Sequence, residues 1–165
     1  MSTVEDCRPV VRWSDFNDEA PDLAAVVRAR FDAATHHVLA TLRRDGTPRL
    51  SGTEVIFTRD DLFVGSMYGA RKAHDMQRDA RVALHTNPGD GSMGLGDAKV
   101  GGRALEVTGP AEIRAVLGED HPPDAAHLFR IEPTEVVLTA VDAPREVLVI
   151  QLWRPGEDVV NFERV

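Results

Sequence analysis

Two adjacent cations stand beside small polar residues in one short block of the chain. Arg71 and Lys72 follow Gly65 and Ser66, at the junction of an apolar run and a segment of helical character. Where a strand ends and a helix begins, unpaired backbone N–H groups and the helix dipole favour an anion. Arginine adds a planar fork for phosphate oxygens and lysine a compact charge. The pair therefore fits a phosphate group, although such pairs are also typical of a solvated helix start.

Small residues on the preceding segments would leave room for a bulky ligand. Ser51 and Ser66 each carry a short hydroxyl that can donate or accept a hydrogen bond. Gly65 has no side chain, so a flat ring could lie against its backbone. Serines on strands are more commonly plain surface residues. The residues alone leave a ligand site and an ordinary surface both open.

The histidines and the single tyrosine allow further alternatives. His36 and His37 precede an apolar run and fit either a surface turn or the wall of a cleft. His74 fits a solvated helix position or, when protonated, part of an anion site. His85 ends a predicted strand where a ligand could be met, and Tyr68 fits either core packing or contact with the phosphate. No paired carboxylates, nucleophile elbow or Walker loop are present, so the catalytic residues stay unknown.

The bulk composition restricts the classes of partner. The chain has 165 residues, of which 42% are hydrophobic and 28% charged, as in soluble globular proteins. Its net charge of -8 argues against nucleic acid or an anionic membrane as the main partner. The one cysteine, Cys7, and six scattered histidines give no metal-ligand spacing. Residues 1–9 contain no apolar stretch, and no apolar run in the sequence is long enough to span a bilayer. The sequence therefore predicts a cytoplasmic protein.

The pattern of elements predicts a single, mainly β (α+β) domain over residues 1–165. Residues 1–18 read as an irregular lead-in anchored by Trp13 and Phe16, and residues 87–97 as a mobile, glycine-rich loop. Gly101-Gly102 indicates a bulge or a close backbone approach. Short turns between strands favour a barrel or a sandwich. The predicted helices are 20–34, 71–79, 110–117 and 124–129, and the predicted strands are 37–42, 48–58, 62–67, 81–85, 98–108, 135–141, 146–153 and 158–162.

The order of these motifs resembles the pyridoxamine 5'-phosphate oxidase-like superfamily. The resemblance covers roughly residues 20–142 and rests on Leu39–Leu42 followed by Asp45–Pro48, on Arg71-Lys72 with Asp79–Val82 behind it, and on Lys99–Ala104. It implies an antiparallel split β-barrel of six to eight strands with peripheral helices. It also implies flavin mononucleotide (FMN) or a deazaflavin as cofactor, bound at the interface of a homodimer.

Three segments are expected, from this resemblance, to contact the cofactor: a strand beside the isoalloxazine ring, the end of a second strand, and a helix start. These residues are Ser51, Gly52, Thr53, Glu54, Gly65, Ser66, Arg71 and Lys72. Arg71, Lys72 and Ser66 would hold the phosphate. The chain departs from the pattern of the pyridoxamine phosphate oxidases at two places. Ser51 stands where those enzymes carry an arginine, and residues 153–165 lack their Arg-Leu-x-Pro element. Oxidation of pyridoxamine phosphate is therefore not expected.

The leading hypothesis is an FMN-dependent oxidoreductase that oxidises or reduces an unidentified small molecule. A deazaflavin-dependent reductase of the same fold is the first alternative. A second is a non-catalytic flavin- or heme-binding protein, with His37 or His85 as the iron ligand. A third is an interaction scaffold whose pocket no longer binds a cofactor. The substrate would be selected by residues 87–97 and the C-terminal strands, where the sequence carries no recognisable motif.

Overall fold

A computed structural model describes residues 10–89, 93–122 and 124–165. Within these ranges the chain forms nine strands and four helices, and each helix is too short or too polar to traverse a lipid bilayer. Cys7 and residues 90–92 of the predicted loop lie outside the described residues. The elements are α1 (Trp13–Glu19), α2 (Pro21–Asp32), β1 (His37–Leu42), β2 (Pro48–Thr53), β3 (Val55–Phe57), β4 (Leu62–Met67), α3 (Arg71–Arg78), β5 (Arg81–His85), β6 (Asp97–Glu106), α4 (Pro110–Leu117), β7 (Ala126–Asp142), β8 (Val147–Trp153) and β9 (Val160–Arg164).

All nine strands belong to one antiparallel sheet, as the short turns between apolar runs predict. Seven strands follow the order β2-β1-β5-β6-β7-β4-β3. The 17-residue strand β7 joins the two halves, because its first part pairs with β4 and its last part pairs with β8. Strand β9 then pairs with β8. This antiparallel arrangement with four helices confirms the predicted split-barrel fold class.

Aromatic rings hold the first helices against the sheet. Trp13 and Phe16 of α1 are buried, and Phe16 lies 4.7 Å from Trp153 between ring centroids. The Trp153 indole N–H donates to the Glu19 carboxylate at 3.0 Å, so the buried ring keeps its polar atom paired. The anchoring role predicted for Trp13 and Phe16 is confirmed, whereas the irregular structure predicted for residues 13–18 is wrong, since this segment is helix α1.

Two further predictions are wrong because pairing between strands, and not the local sequence, sets the structure of these segments. The strand predicted over 48–58 is divided at Glu54, since β2 pairs with β1 whereas β3 pairs with β4. This division gives nine strands where at most eight were predicted. The helix predicted over 124–129 is instead the start of β7, where Leu128 and Phe129 are fully buried and pair with β4. Pairing with two neighbouring strands here outweighs local helix propensity.

The glycine pair in β6 marks a close approach of two backbones, as predicted. The pairing register between β6 and β7 shifts between Gly101 and Gly102. A Cβ on Gly102 would lie 2.5 Å from the carbonyl oxygen of Glu132. Any side chain at this position would therefore push β7 away from β6. The bulge interrupts the longest strand pairing of the sheet, which fixes the path of β7 toward β4 and β8.

Candidate functional site

The turn between β4 and α3 presents the two predicted phosphate-binding cations. Gly69 adopts a left-handed conformation, with φ of 72°, that most residues avoid. The Ala70 N–H donates to the Met67 carbonyl at 3.1 Å, which closes the turn. Helix α3 begins at Arg71, so Arg71 and Lys72 occupy its first turn, where backbone N–H groups lack helical partners.

Six of the eight predicted cofactor residues line one cleft of about 510 Å³, which we call the Lys72 cleft. Strands β2 and β4 and the start of α3 form its walls, and the segment after α4 closes one side. The predicted residues on its lining are Gly52, Thr53, Glu54, Gly65, Ser66 and Lys72, joined by His36, Ile56, Met67, Ala70, Leu117, His121, Ala125 and Ala126. Binding of a cofactor by these residues stays a prediction.

Lys72 is a partly buried cation with an uncharged partner. Its Nζ donates to the Gly52 carbonyl at 3.0 Å. Burial lowers the pKa of Lys72 because the ammonium loses part of its hydration. Within the described residues no carboxylate oxygen lies within 4.0 Å of Nζ. A phosphate placed in the cleft would supply the opposite charge.

The backbone of β2 and β4 beside Lys72 is not covered by side chains at Gly52 and Gly65. A Cβ built on Gly52 or on Gly65 would meet no atom within 4 Å, so both glycines border open space. The Thr53 and Ser66 hydroxyls are buried and donate only to neighbouring backbone carbonyls, at 3.1 and 3.4 Å. Their oxygens keep lone pairs for a ligand's donor groups. A flat ring with a phosphate arm fits this combination of bare backbone and a single cation.

Ser51 and Arg71 do not line the Lys72 cleft. Ser51 is absent from the cleft lining and lies on the same face of β2 as Arg49, opposite Gly52. Arg71 is exposed and lines a second, arginine-rich cleft on the other side of the β4–α3 turn. The two cations that adjoin in sequence therefore face different clefts. Whether both contact one phosphate stays a prediction.

Two histidines border the Lys72 cleft. His36 places Nε2 3.4 Å from a Glu54 carboxylate oxygen, in an exposed pair at its rim. His121 lies in the segment after α4, and its buried Nε2 has no hydrogen-bond partner among the described residues. A ligand group in the cleft would satisfy that atom. Sequence reasoning missed His121 because the segment carries no motif or periodicity.

The other singled-out residues are not part of the lining of this cleft. His85 is half-buried and its Nδ1 donates to the Thr86 carbonyl at 2.6 Å. His74 is exposed and pairs with Gln77 on α3. Tyr68 is 73% exposed, which excludes core packing, and it stacks on His127 with ring centroids 5.3 Å apart.

His127 and Glu106 support the turn that carries the cations. His127 accepts a hydrogen bond from the Gly69 N–H at 3.3 Å and donates through Nδ1 to Glu106 at 2.6 Å. Glu106 in turn accepts from Gln77 on α3 at 2.9 Å. This chain of contacts ties the turn to β6, β7 and α3. Sequence reasoning did not find it because its members are separated by 21 to 58 positions.

His37 is a core residue and not the surface residue or cleft wall that the sequence suggested. Its side chain is 3% exposed and packs edge-on against Phe31 at 5.0 Å. Nδ1 accepts from the Asn87 N–H at 3.2 Å, which requires that nitrogen to be unprotonated. Burial lowers the pKa of His37 from its ordinary value of 6.5, because the apolar surroundings disfavour imidazolium.

Acidification below pH 6.5 is expected to destabilise the fold through His37. Since its pKa is lowered in the folded chain, the unfolded chain binds more protons, and the free energy of unfolding falls as pH drops below 6.5. The slope from one such group is at most about 1.4 kcal/mol per pH unit. Urea unfolding followed by fluorescence between about pH 7.5 and 5.5 measures it.

An exposed histidine on α3 provides the control. His37→Asn should flatten this pH dependence, whereas His74→Asn should leave it intact, because His74 is exposed. An equal slope in His37→Asn and the parent protein would contradict the assignment.

The sequence matches a known family over most of its length. The profile of the family described as pyridoxamine 5'-phosphate oxidase matches residues 23–140. That span contains the Lys72 cleft, including the β4–α3 turn. No curated protein sequence matches the chain.

Solved structures share the fold at low sequence identity. PhzG from Burkholderia lata, solved with tetrahydrophenazine-1-carboxylic acid, superposes with a TM-score of 0.60 at 15% identity, covering 99% of this chain and 96% of its own. A Clostridium acetobutylicum protein of the pyridoxinephosphate oxidase family, related to general stress protein 26, gives 0.54 at 11% identity, with 90% and 94% covered. A protein of unknown function from Agrobacterium tumefaciens gives 0.55 at 25% identity, with 68% and 53% covered.

Proposed function

The chain belongs to the pyridoxamine 5'-phosphate oxidase family, and from that premise we propose that it is an FMN-dependent oxidoreductase of a small molecule. FMN would bind in the Lys72 cleft, and the protein would act in the cytoplasm. One observation carries the proposal: a partly buried cation with no carboxylate oxygen nearby stands beside two glycines, Gly52 on β2 and Gly65 on β4, that border open space. That arrangement suits a planar ring joined to a phosphate.

The chain's residues would bind and orient the cofactor. Lys72 would hold the phosphate, with the free N–H groups of the first turn of α3. Gly52 and Gly65 would let the ring lie against the strands, and the Thr53 and Ser66 oxygens would accept hydrogen bonds from it. FMN, when bound, supplies hydride transfer, so the protein needs no acid–base pair of its own for that step.

A homodimer completes this proposal. Leu50, Met67 and Tyr68 are 73%, 80% and 73% exposed, and they stand on β2, at the end of β4 and in the turn that follows it. Exposed apolar side chains beside a cleft are typical of an interaction surface. A second copy covering them would also remove water from the Lys72 cleft. Members of this family commonly dimerise, which supports the assignment.

The substrate is proposed to differ from pyridoxamine phosphate. Position 51 carries a serine and lies off the cleft lining, so no arginine reaches a substrate phosphate from this position. A deazaflavin in place of FMN remains the alternative, favoured by the arginines beyond the β4–α3 turn. Heme bound through His37 or His85 is not proposed, because both rings are engaged with backbone groups outside the cleft.

Lys72→Met tests the proposed site. The purified protein is expected to be yellow, with an absorbance maximum at about 450 nm, and to release FMN on denaturation, identified by mass spectrometry. Loss of one charge-assisted hydrogen bond costs about 1.5–3 kcal/mol, so Lys72→Met should weaken FMN binding roughly 10- to 150-fold in fluorescence titrations.

The chain's only other lysine is the matched control. Lys99 is exposed on β6, so Lys99→Met should bind FMN like the parent protein. A colourless protein that ignores added FMN would refute the FMN assignment. Release of a deazaflavin would select the alternative, and equal effects of the two substitutions would remove Lys72 from the site.

A further inference from the structure

A further cavity, of about 520 Å³, lies on the exposed face of β6 and β7, at the bulge in their pairing. The segment that precedes α1 and the turn between β8 and β9 also line it. None of its lining residues belongs to the Lys72 cleft or to the arginine-rich cleft beyond the β4–α3 turn. We call it the bulge cavity. A ligand in this cavity would bind at a separate place from the proposed cofactor.

Apolar side chains come from every segment that lines the bulge cavity. They are Val10, Val11, Leu105, Pro133 and Pro155. Val10 and Leu105 are 60% and 37% exposed, so they offer apolar surface that a ligand can cover. Small-molecule sites measure about 300–1,000 Å³ and combine apolar walls with a few polar groups. The bulge cavity has this size and this combination.

The bulge places a hydroxyl group on the lining of the cavity. Gly101 and Gly102 of β6 pair with the residues on either side of Thr134, which itself has no partner in the register. Thr134 is exposed and lines the cavity. Bulges commonly redirect a side chain beside a functional site. The Thr134 hydroxyl can therefore donate a hydrogen bond to a ligand oxygen.

Arg103 is a cation that the described residues do not neutralise. It is exposed on β6 and stands opposite Glu132 of β7, but the Glu132 carboxylate lies 3.8 Å from the guanidinium of Arg130. Arg154, the other arginine of the lining, pairs with Glu135 at 3.3 Å. No carboxylate oxygen in the described part of the chain lies within 4.0 Å of Arg103. Its guanidinium therefore keeps the paired N–H groups that bind both oxygens of a carboxylate.

We propose that the bulge cavity binds an apolar carboxylate, which is a ligand with one carboxylate group on an apolar body. Arg103 binds both carboxylate oxygens, Thr134 donates a hydrogen bond to one of them, and the apolar side chains cover the body of the ligand. Glu132 and Glu157 also line the cavity, so a phosphate with two negative charges would meet more repulsion than a single carboxylate. The proposal does not depend on which cofactor occupies the Lys72 cleft.

Octanoate and its uncharged amide, octanamide, are the probes, titrated by calorimetry into the purified protein with and without saturating FMN. The parent protein should bind octanoate roughly tenfold or more tightly than octanamide in both samples, because only the carboxylate pairs with Arg103. Arg103→Gln should abolish that preference. Leu105→Thr keeps a β-branched residue on the strand but removes apolar surface, so it should weaken binding of both probes to the same degree.

An exposed arginine outside the cavity is the matched control. Arg44→Gln, in the β1–β2 turn, should bind both probes like the parent protein. Circular dichroism checks that each variant is folded.

Three results would overturn the proposal. Equal affinity of the parent protein for the two probes, or no binding of either, would show that the cavity does not select a carboxylate. An unchanged preference in Arg103→Gln would place the site elsewhere. Displacement of octanoate by FMN would place octanoate in the Lys72 cleft. Since FMN should bind Arg103→Gln like the parent protein, failure here is distinct from failure of the proposed function.

Discussion

Replacing Asp75 with asparagine is expected to lower the free energy of unfolding by about 3 kcal/mol. Asp75 is 3% exposed and is the shared acceptor for Arg49, Arg78 and Thr41. Asparagine keeps the volume but removes the charge, which leaves two partly buried guanidinium groups without a counterion. Loss of one partner of a buried ion pair costs more than the pair contributes, because the remaining charge stays desolvated.

The pKa of Asp75 gives the same prediction a pH signature. Burial alone would raise the pKa of this carboxyl, but the hydrogen bonds from Arg49, Thr41 and Arg78 outweigh burial and lower it below 3.8. A lowered pKa means that the unfolded chain takes up protons first. The stabilisation is therefore complete above pH 3.8 and is lost as pH falls below that value.

Chemical denaturation with urea measures the effect of Asp75→Asn, and an exposed ion pair provides the control. Asp142 accepts from Arg145 at 2.6 Å on the surface, where water screens the charges. Asp142→Asn should therefore shift the urea midpoint far less than Asp75→Asn. Equal shifts in the two variants would show that burial of the Asp75 pair contributes nothing.

Gly102→Ala is expected to destabilise the protein by about 3 kcal/mol, near the upper range for overpacking. The added methyl would lie 2.5 Å from the Glu132 carbonyl oxygen and 3.2 Å from its carbonyl carbon. Both atoms belong to the backbone of β7 and cannot rotate away. Relief of the clash requires separation of β6 from β7, at the centre of the sheet.

The neighbouring glycine is the matched control. A Cβ on Gly101 would lie 3.1 Å from Cγ of Glu135, a flexible side chain that can move. Gly101→Ala should therefore cost about 1 kcal/mol or less. Thermal unfolding measures the stability of both variants. A Gly101→Ala variant as unstable as Gly102→Ala would contradict the close approach of the Gly102 and Glu132 backbones as the cause.

Local patterns in the sequence were sufficient to predict much of the sheet and the block that surrounds Lys72. Apolar runs between turn residues located β1, β4, β5 and β8 to within two residues, and the glycine pair located the bulge in β6. These features depend on neighbours in sequence. The order from Gly65 to Lys72 likewise brought together residues that share one cleft, although Ser51 and Arg71 proved to lie off its lining.

Features that depend on distant partners were not predictable in this way. The start of β7 is a strand because β4 and β6 pair with it on both sides, and no local signal distinguishes it from a helix. The arginine-rich cleft beyond the β4–α3 turn brings together residues near the β1–β2 turn and residues of α3, such as Arg49 and Asp75, which are 26 positions apart. The contacts of His127 also form only when the sheet closes. The same holds for the separation of Arg71 and Lys72 into different clefts.

The hydrogen bond between Trp153 and Glu19 has a consequence for the synthesis of the protein on the ribosome. The two residues are 134 positions apart, and the Gly156 N–H donates to the same carboxylate at 2.9 Å. At ordinary rates of translation, α1 waits on the order of ten seconds for these partners to be synthesised. During that interval Phe16 lacks the ring that buries it. Nascent chains paused before residue 153 would therefore carry an exposed aromatic helix that chaperones can bind.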